Sequence, residues 1–187
     1  MTKKENTKAK LQAAGRRLIQ EQGYEATTAD QIAAECGVST MTFFRHFPSK
    51  AMVVLDDPYD PMIASAIAAQ PRSLPAIERV RRGLLAAWIA LPEPDNHDQR
   101  SRVRIIAHTP ELRAKAWENN TATRAAIVNV LVRDDVDRLS AEVAAGACLG
   151  ALEAALLDWG TSSEGTLGER IATALGLLGS TAEESND

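Results

Sequence analysis

At 187 residues, 45% of them hydrophobic, the chain can bury a substantial core without metals or crosslinks. Its two cysteines, Cys36 and Cys148, lie in Ala-rich surroundings with nothing like a secretory signal ahead of them, which predicts reduced cytosolic thiols and argues against a disulfide. The net charge of −4 is unevenly divided: eight Lys and Arg face five Asp and Glu in residues 1–50, and thirteen face twenty in residues 51–187. A head of +3 can approach phosphate while a body of −7 stays off it.

Residues 1–8 are polar and lack an apolar stripe, which predicts a flexible arm or frayed turn with Lys3 and Lys4 placed to touch phosphate. From there Leu11, Ala14, Leu18 and Ile19 recur at helical spacing, and Gly23 supplies a left-handed stop. Thr28 and Gln31 form a capping box that opens a second helix running to Cys36. Gly37 can take the positive φ needed to leave it, Val38 can point inward, and Ser39 can cap a short third helix at once. The pattern is a helix-turn-helix. Pro48 ends the third helix near Phe47 and puts Lys50 at the start of a fourth, which Pro58 and Pro61 leave broken, kinked or short.

The body begins with an amphipathic segment over residues 74–91, its stripe made by Ile77, Val80, Leu84, Leu85, Trp88 and Leu91. Glu78, Arg79, Arg81 and Arg82 are expected on its wet side. Helices follow over about 97–108, 110–132, 140–160 and 166–178, with an acidic, disordered tail from about residue 180. No alternating strand pattern occurs, so the expected fold is all-α with about nine helices. The most apolar stretch, residues 143–157, is broken by Glu153 and two glycines, which predicts a soluble, cytoplasmic protein with no membrane span.

Residues 27–50, TTADQIAAECGVSTMTFFRHFPSK, resemble the DNA-binding signature of the TetR family of bacterial transcriptional regulators. The Thr-Thr entry, the Ile-Ala-x-x-x-Gly-Val turn, the Ser/Thr-rich recognition helix, the aromatic-His-Phe ending and the following Lys carry the resemblance. It implies a three-helix DNA-binding headpiece over residues 1–50 and a ligand-binding and dimerisation domain over residues 51–187. Under it, Thr27, Thr28, Thr42 and Lys50 contact phosphates, and Thr40, Met41, Arg45 and His46 read bases, with Arg45 placed for either duty. Two departures stand out: Met41 replaces a common Gly, and Phe44 replaces a common phosphate-binding Tyr. Phe44 remains on the groove side without that hydroxyl.

The resemblance also implies a homodimer on double-stranded DNA with a palindromic operator, acting as a repressor released by a small-molecule effector of unknown identity. Small residues along the penultimate helix allow close helix packing, within one subunit or across a dimer, and Gly146, Gly150, Glu153, Ala154 and Leu157 are the expected interface. Glu153 is costly in so apolar a helix unless it meets an Arg across that interface or a cationic or hydrogen-bonding ligand. For the effector, Trp88, Trp117, Asn120, Thr121 and Arg124 are candidate pocket residues; each tryptophan also suits the core, as does Trp159. No catalytic set, metal site or cofactor loop can be assembled, since His46, His97 and His108 are scattered. The rival to a regulator is a helical protein-interaction module with a vestigial headpiece.

Overall fold

A computed structural model describes residues 3–56, 60–90, 96–162 and 164–179, without the side chains of residues 3–5, 60, 61, 96–99, 117 and 119. Among the described residues all regular structure is helical: α1 (Lys3–Gln22), α2 (Ala29–Glu35), α3 (Thr40–His46), α4 (Met52–Leu55), α5 (Asp60–Ala68), α6 (Ala76–Ile89), α7 (Asn96–His108), α8 (Pro110–Arg133), α9 (Arg138–Thr161) and α10 (Leu167–Leu177). The described residues form ten helices where about nine were expected, because the fourth ends at Leu55 and a separate α5 starts at Asp60; Pro58 lies outside the described residues, and Pro61 falls in the first turn of α5, where a missing N–H costs nothing. The predicted arm is helical from Lys3. Lysines and Glu5 are good helix formers, no Gly or Pro interrupts them, and Lys8 is tied to Asp56 at 2.5 Å.

The described chain divides into two compact units, Met1–Asp56 with Ser101–Ala116, and Asp57–Arg100 with Trp117–Asp187. The first therefore takes in residues 51–56 and a stretch of α7 and α8 that sequence reading gives to the body. Burial explains why: Ile105 and Leu112 join Ile19, Tyr24, Ala51, Val54 and Leu55 in one apolar cluster. Arg102 fastens the same stretch by donating from Nε to the Val54 carbonyl at 2.6 Å.

In the second unit α6 packs on α5, α9 and α10. At its crossing with α5, a Cβ on Gly83 would stand 2.7 Å from the Ile67 Cα, so the two backbones meet where a side chain is missing. Arg79, expected in water, lies instead on that inner face with Val80, Gly83, Leu84 and Ala87, and is 0% exposed. Its Nη2 meets Asp134 Oδ2 at 2.7 Å, while Arg72 holds the other carboxylate oxygen at 2.7 Å. A buried guanidinium is tolerable only with such a partner. The sequence gives no warning, because Asp134 lies 55 residues away, in the turn after α8.

That turn is made by Asp135 at φ 65°, and Asp137 then caps α9 by accepting from the Ser140 amide. α9 is long and apolar enough by length and composition to cross a membrane, contrary to the reading that Glu153 and the glycines interrupt it. Within this unit its apolar side is covered by α6 and α10, burying Ala141, Ala144, Ala145, Cys148, Leu149, Ala155 and Trp159. Arg100 braces the turn beyond it, lying 4.7 Å from the Trp159 ring and donating to the Gly165 carbonyl at 2.6 Å. Cys36 and Cys148 are both free thiols, and burial pushes Cys148 up to about 12.

Candidate nucleic-acid interface

The turn between α2 and α3 is built by local chemistry. Thr28 accepts from the Gln31 amide at 3.2 Å while the Gln31 side chain accepts from the Thr28 amide at 2.9 Å, the reciprocal box expected from sequence. Gly37 takes φ +65°, letting the Val38 amide return to the Ala33 carbonyl at 3.0 Å. Ser39 then accepts from the Thr42 amide and starts α3. Neither seven-residue helix could persist alone, so each depends on the core beneath it.

That core is Leu11, Ala14, Ile32, Ala33, Phe43, Phe47 and Val53. Phe43 and Phe47, one turn apart, have ring centroids 5.7 Å apart and are wholly buried. Gly15 lets α1 approach, since a Cβ there would lie 2.3 Å from Val53 Cγ1. With two rings locked inward, the opposite face of α3 is fixed outward: Met41 is 83% exposed, Phe44 is 51% exposed with its ring edge-on to Phe43, and Arg45 is exposed. Thr40, Thr42 and His46 are half-buried along the same helix. Thr42 Oγ1 lies 3.0 Å from the Ser39 hydroxyl.

The remaining candidates divide. Thr28 is exposed at the start of α2, but Thr27 is 1% exposed and donates its hydroxyl to the Gly23 carbonyl at 2.8 Å. Thr27 is therefore a correction: its side chain closes the α1–α2 turn instead of facing outward. Lys50 is half-buried, donates to the Tyr24 carbonyl at 2.6 Å and sits 3.9 Å from that ring's centroid. An ammonium carries three N–H donors, more than this one carbonyl uses. Tyr24 itself is buried and pushed up to about 12, by burial first and then by Glu111, to which its phenol donates at 3.4 Å. Sequence reading missed Tyr24 as the seat of Lys50.

It also missed Asp30. Thr40 donates its hydroxyl to Asp30 Oδ1 at 2.5 Å, joining the first turn of α2 to the first residue of α3. Ten residues and a turn separate them, and no periodicity reveals such a pair. An open groove of about 500 Å³ lies in the same unit beside Tyr24, Arg104, Ile105 and His108, none of them an expected effector residue.

The described effector candidates meet different helices. Trp88 is half-buried with Nε1 3.0 Å from where a Cβ on Gly168 of α10 would stand, whereas Arg124 pairs with Glu142 of α9 at 3.0 Å. Asn120 is half-buried, Thr121 is exposed, and the Trp117 side chain lies outside the described residues. Along α9, Gly150 and Ala154 are exposed, Glu153 and Leu157 are half-buried, and Gly146 lies under the Arg124 guanidinium. A Cβ on Gly150 would meet nothing within 4 Å, and Leu139 and Val143 extend this outward strip.

A short helix clamped by an aromatic core, presented after a glycine turn and bearing Met, Thr and Arg outward, defines a helix-turn-helix regulator of the DNA-binding class. Residues 11–56 match the family model for bacterial regulatory proteins, tetR family, and residues 74–183 match that of the MftR C-terminal domain. The chain belongs to the tetR family of bacterial regulatory proteins and is a DNA-binding transcriptional regulator. No curated protein matches it. Among solved structures it is similar to NalD, the secondary repressor of the MexAB-OprM multidrug efflux pump in Pseudomonas aeruginosa, at 20% identity and TM-score 0.59, over 93% of this chain and 94% of that one. It is similar to the fatty acid degradation regulator FadR from Bacillus halodurans, at 16% identity and TM-score 0.59, over 95% and 96%. AibR, in complex with isovaleryl coenzyme A and operator DNA, is similar at 20% identity and TM-score 0.50, over 91% and 97%. These likenesses concern the fold.

Proposed function

We propose that the protein is a homodimeric repressor that holds a palindromic operator and lets go when a small molecule binds its body. The outward face of α3 carries this reading, with Met41, Phe44 and Arg45 exposed above two buried phenylalanines. Thr28, Thr42 and Lys50 contact phosphate and position the head; Thr40, Met41, Arg45 and His46 face base edges. Two heads spaced about 34 to 36 Å meet successive major grooves, which is why a dimer and a palindrome belong together. The strip of Gly146, Gly150, Glu153, Ala154 and Leu157 on α9 serves the dimer. Its small residues allow a partner helix to approach closely.

The similar AibR structure holds both an acyl coenzyme A and operator DNA, which supports an effector of small-molecule class here. Release requires that effector and operator weaken one another equally, whichever binds first. The test is titration of the full chain into the duplex upstream of its own gene and into scrambled duplex, at several salt concentrations. Neutralising roughly six to ten phosphates lowers affinity by about 10³ to 10⁵ between 50 and 200 mM salt. Lys50→Ala weakens every duplex alike, while Arg45→Ala also blurs the preference. Indifference to both sequence and salt would return the chain to a protein-interaction module.

A further inference from the structure

A threonine hydroxyl has one proton to give and two lone pairs to offer, whereas a carboxylate only accepts. The Thr40 proton is committed to Asp30 Oδ1. Toward any outside partner Thr40 Oγ1 therefore presents lone pairs alone, and the Asp30 carboxylate beside it adds more. Asp30 is exposed and Thr40 is half-buried at the leading end of α3, next to the fully displayed Met41. Leading residues of a recognition helix are those that meet base edges.

In the major groove only adenine N6 and cytosine N4 donate, while guanine O6 and N7 and thymine O4 accept. We propose that Asp30, by taking the Thr40 proton, is a specificity-determining residue: it leaves the Thr40 side chain an acceptor only, one that selects adenine or cytosine at one base position. The paired Asp30 and Thr40 side-chain oxygens disfavour phosphate oxygens, so the Thr40 hydroxyl reads a base and does not anchor the backbone. Arg45 lies five residues on, about 7.5 Å along the helix axis, and only donates. Thr40 and Arg45 thus offer opposite hydrogen-bonding character at two points along α3, which favours one direction along the groove.

This inference rests on α3 being the recognition helix, and the experiment separates the two. The full chain is used to select duplexes from a random pool, and the enriched sequences are compared for wild type, Asp30→Ala, Thr40→Val and Thr40→Ser, each checked for helical content by circular dichroism. Wild type should show one position per half-site confined to adenine or cytosine. Asp30→Ala should admit guanine or thymine there, discrimination falling about tenfold, within the range of a single mismatch, with other positions unchanged. Thr40→Val should do the same, and Thr40→Ser should restore the preference. Should Asp30→Ala lose helical content, the Thr40 pair carries the test. Unchanged selection in folded Asp30→Ala, or in Thr40→Val, overturns the proposal. If wild type enriches no sequence at all, the DNA-reading function itself fails, and the proposal with it.

Discussion

The helix-turn-helix and the helices of the body solve the same problem at opposite scales. α2 and α3 have seven residues each, so every end must be specified: a capping box, a positive-φ glycine, a serine cap and two buried rings follow one another within twenty residues. α9 has 24 residues and tolerates an outward strip of Leu139, Val143 and Gly150, because its register comes from α6 and α10. Short elements must spell out their structure locally; long ones can leave it to their neighbours. The head buries Phe43 and Phe47 and leaves Met41 and Phe44 outward on one short helix, whereas the body leaves a strip of a long helix exposed.

The sharpest way to break this comparison is to empty the head's core. Phe43→Ala removes a ring that is wholly buried between α1 and α2, and should cost about 3 to 5 kcal/mol by urea denaturation; a loss below 1 kcal/mol would mean that the core does not hold α3. The body offers the counterpart in Asp134→Ala, which strands the Arg79 guanidinium without its partner and should cost about 3 kcal/mol. Replacing both, as Arg79→Met with Asp134→Ala, should recover most of that loss. Equal destabilisation by the single and double variants would show that the pair is not what matters.

Smaller effects sharpen the contrast. Thr28→Ala removes the cap of α2 and should cost about 1 kcal/mol, measured as a lower urea midpoint; no change would deny that local signals set the head. The faintest signal is a pH dependence in the body. The Arg81 hydrogen bond, with Arg82 adding to it, holds the Glu78 carboxyl at about 2, below its ordinary 4.5. A group depressed in the folded state stabilises above its unfolded pKa, so this contribution is present at pH 6 and fades as pH falls from 4.5 toward 2. The urea midpoint of Glu78→Gln should lie below that of wild type at pH 6 and converge with it near pH 2. A constant gap across that range would remove Glu78 as its source.

The head was legible because its signals are near in sequence. Thr28 to Gln31 and Gly37 to Ser39 can be read within a few residues, and the structure realises each of them. Where sequence reading failed for Arg79, the cause was a partner beyond that reach. Arg79 looks solvated beside Glu78, Arg81 and Arg82 until Asp134 arrives from the turn after α8. Thr27 looks like a phosphate ligand until its hydroxyl is seen bonded to Gly23 within the turn. The candidate effector residues share helical spacing, yet Trp88 and Arg124 meet α10 and α9 respectively.

By itself the sequence determined that this chain is helical and where α2 and α3 begin and end, because caps and glycine turns act over one helical turn. Tertiary structure alone decided that residues 101–116 join the head's unit, that Arg79 is interior, and that Asp30 claims the Thr40 proton. Each of those depends on groups brought together across turns or from distant segments, and a hydrogen bond or an ion pair is set by distance in space, to which order along the chain is blind.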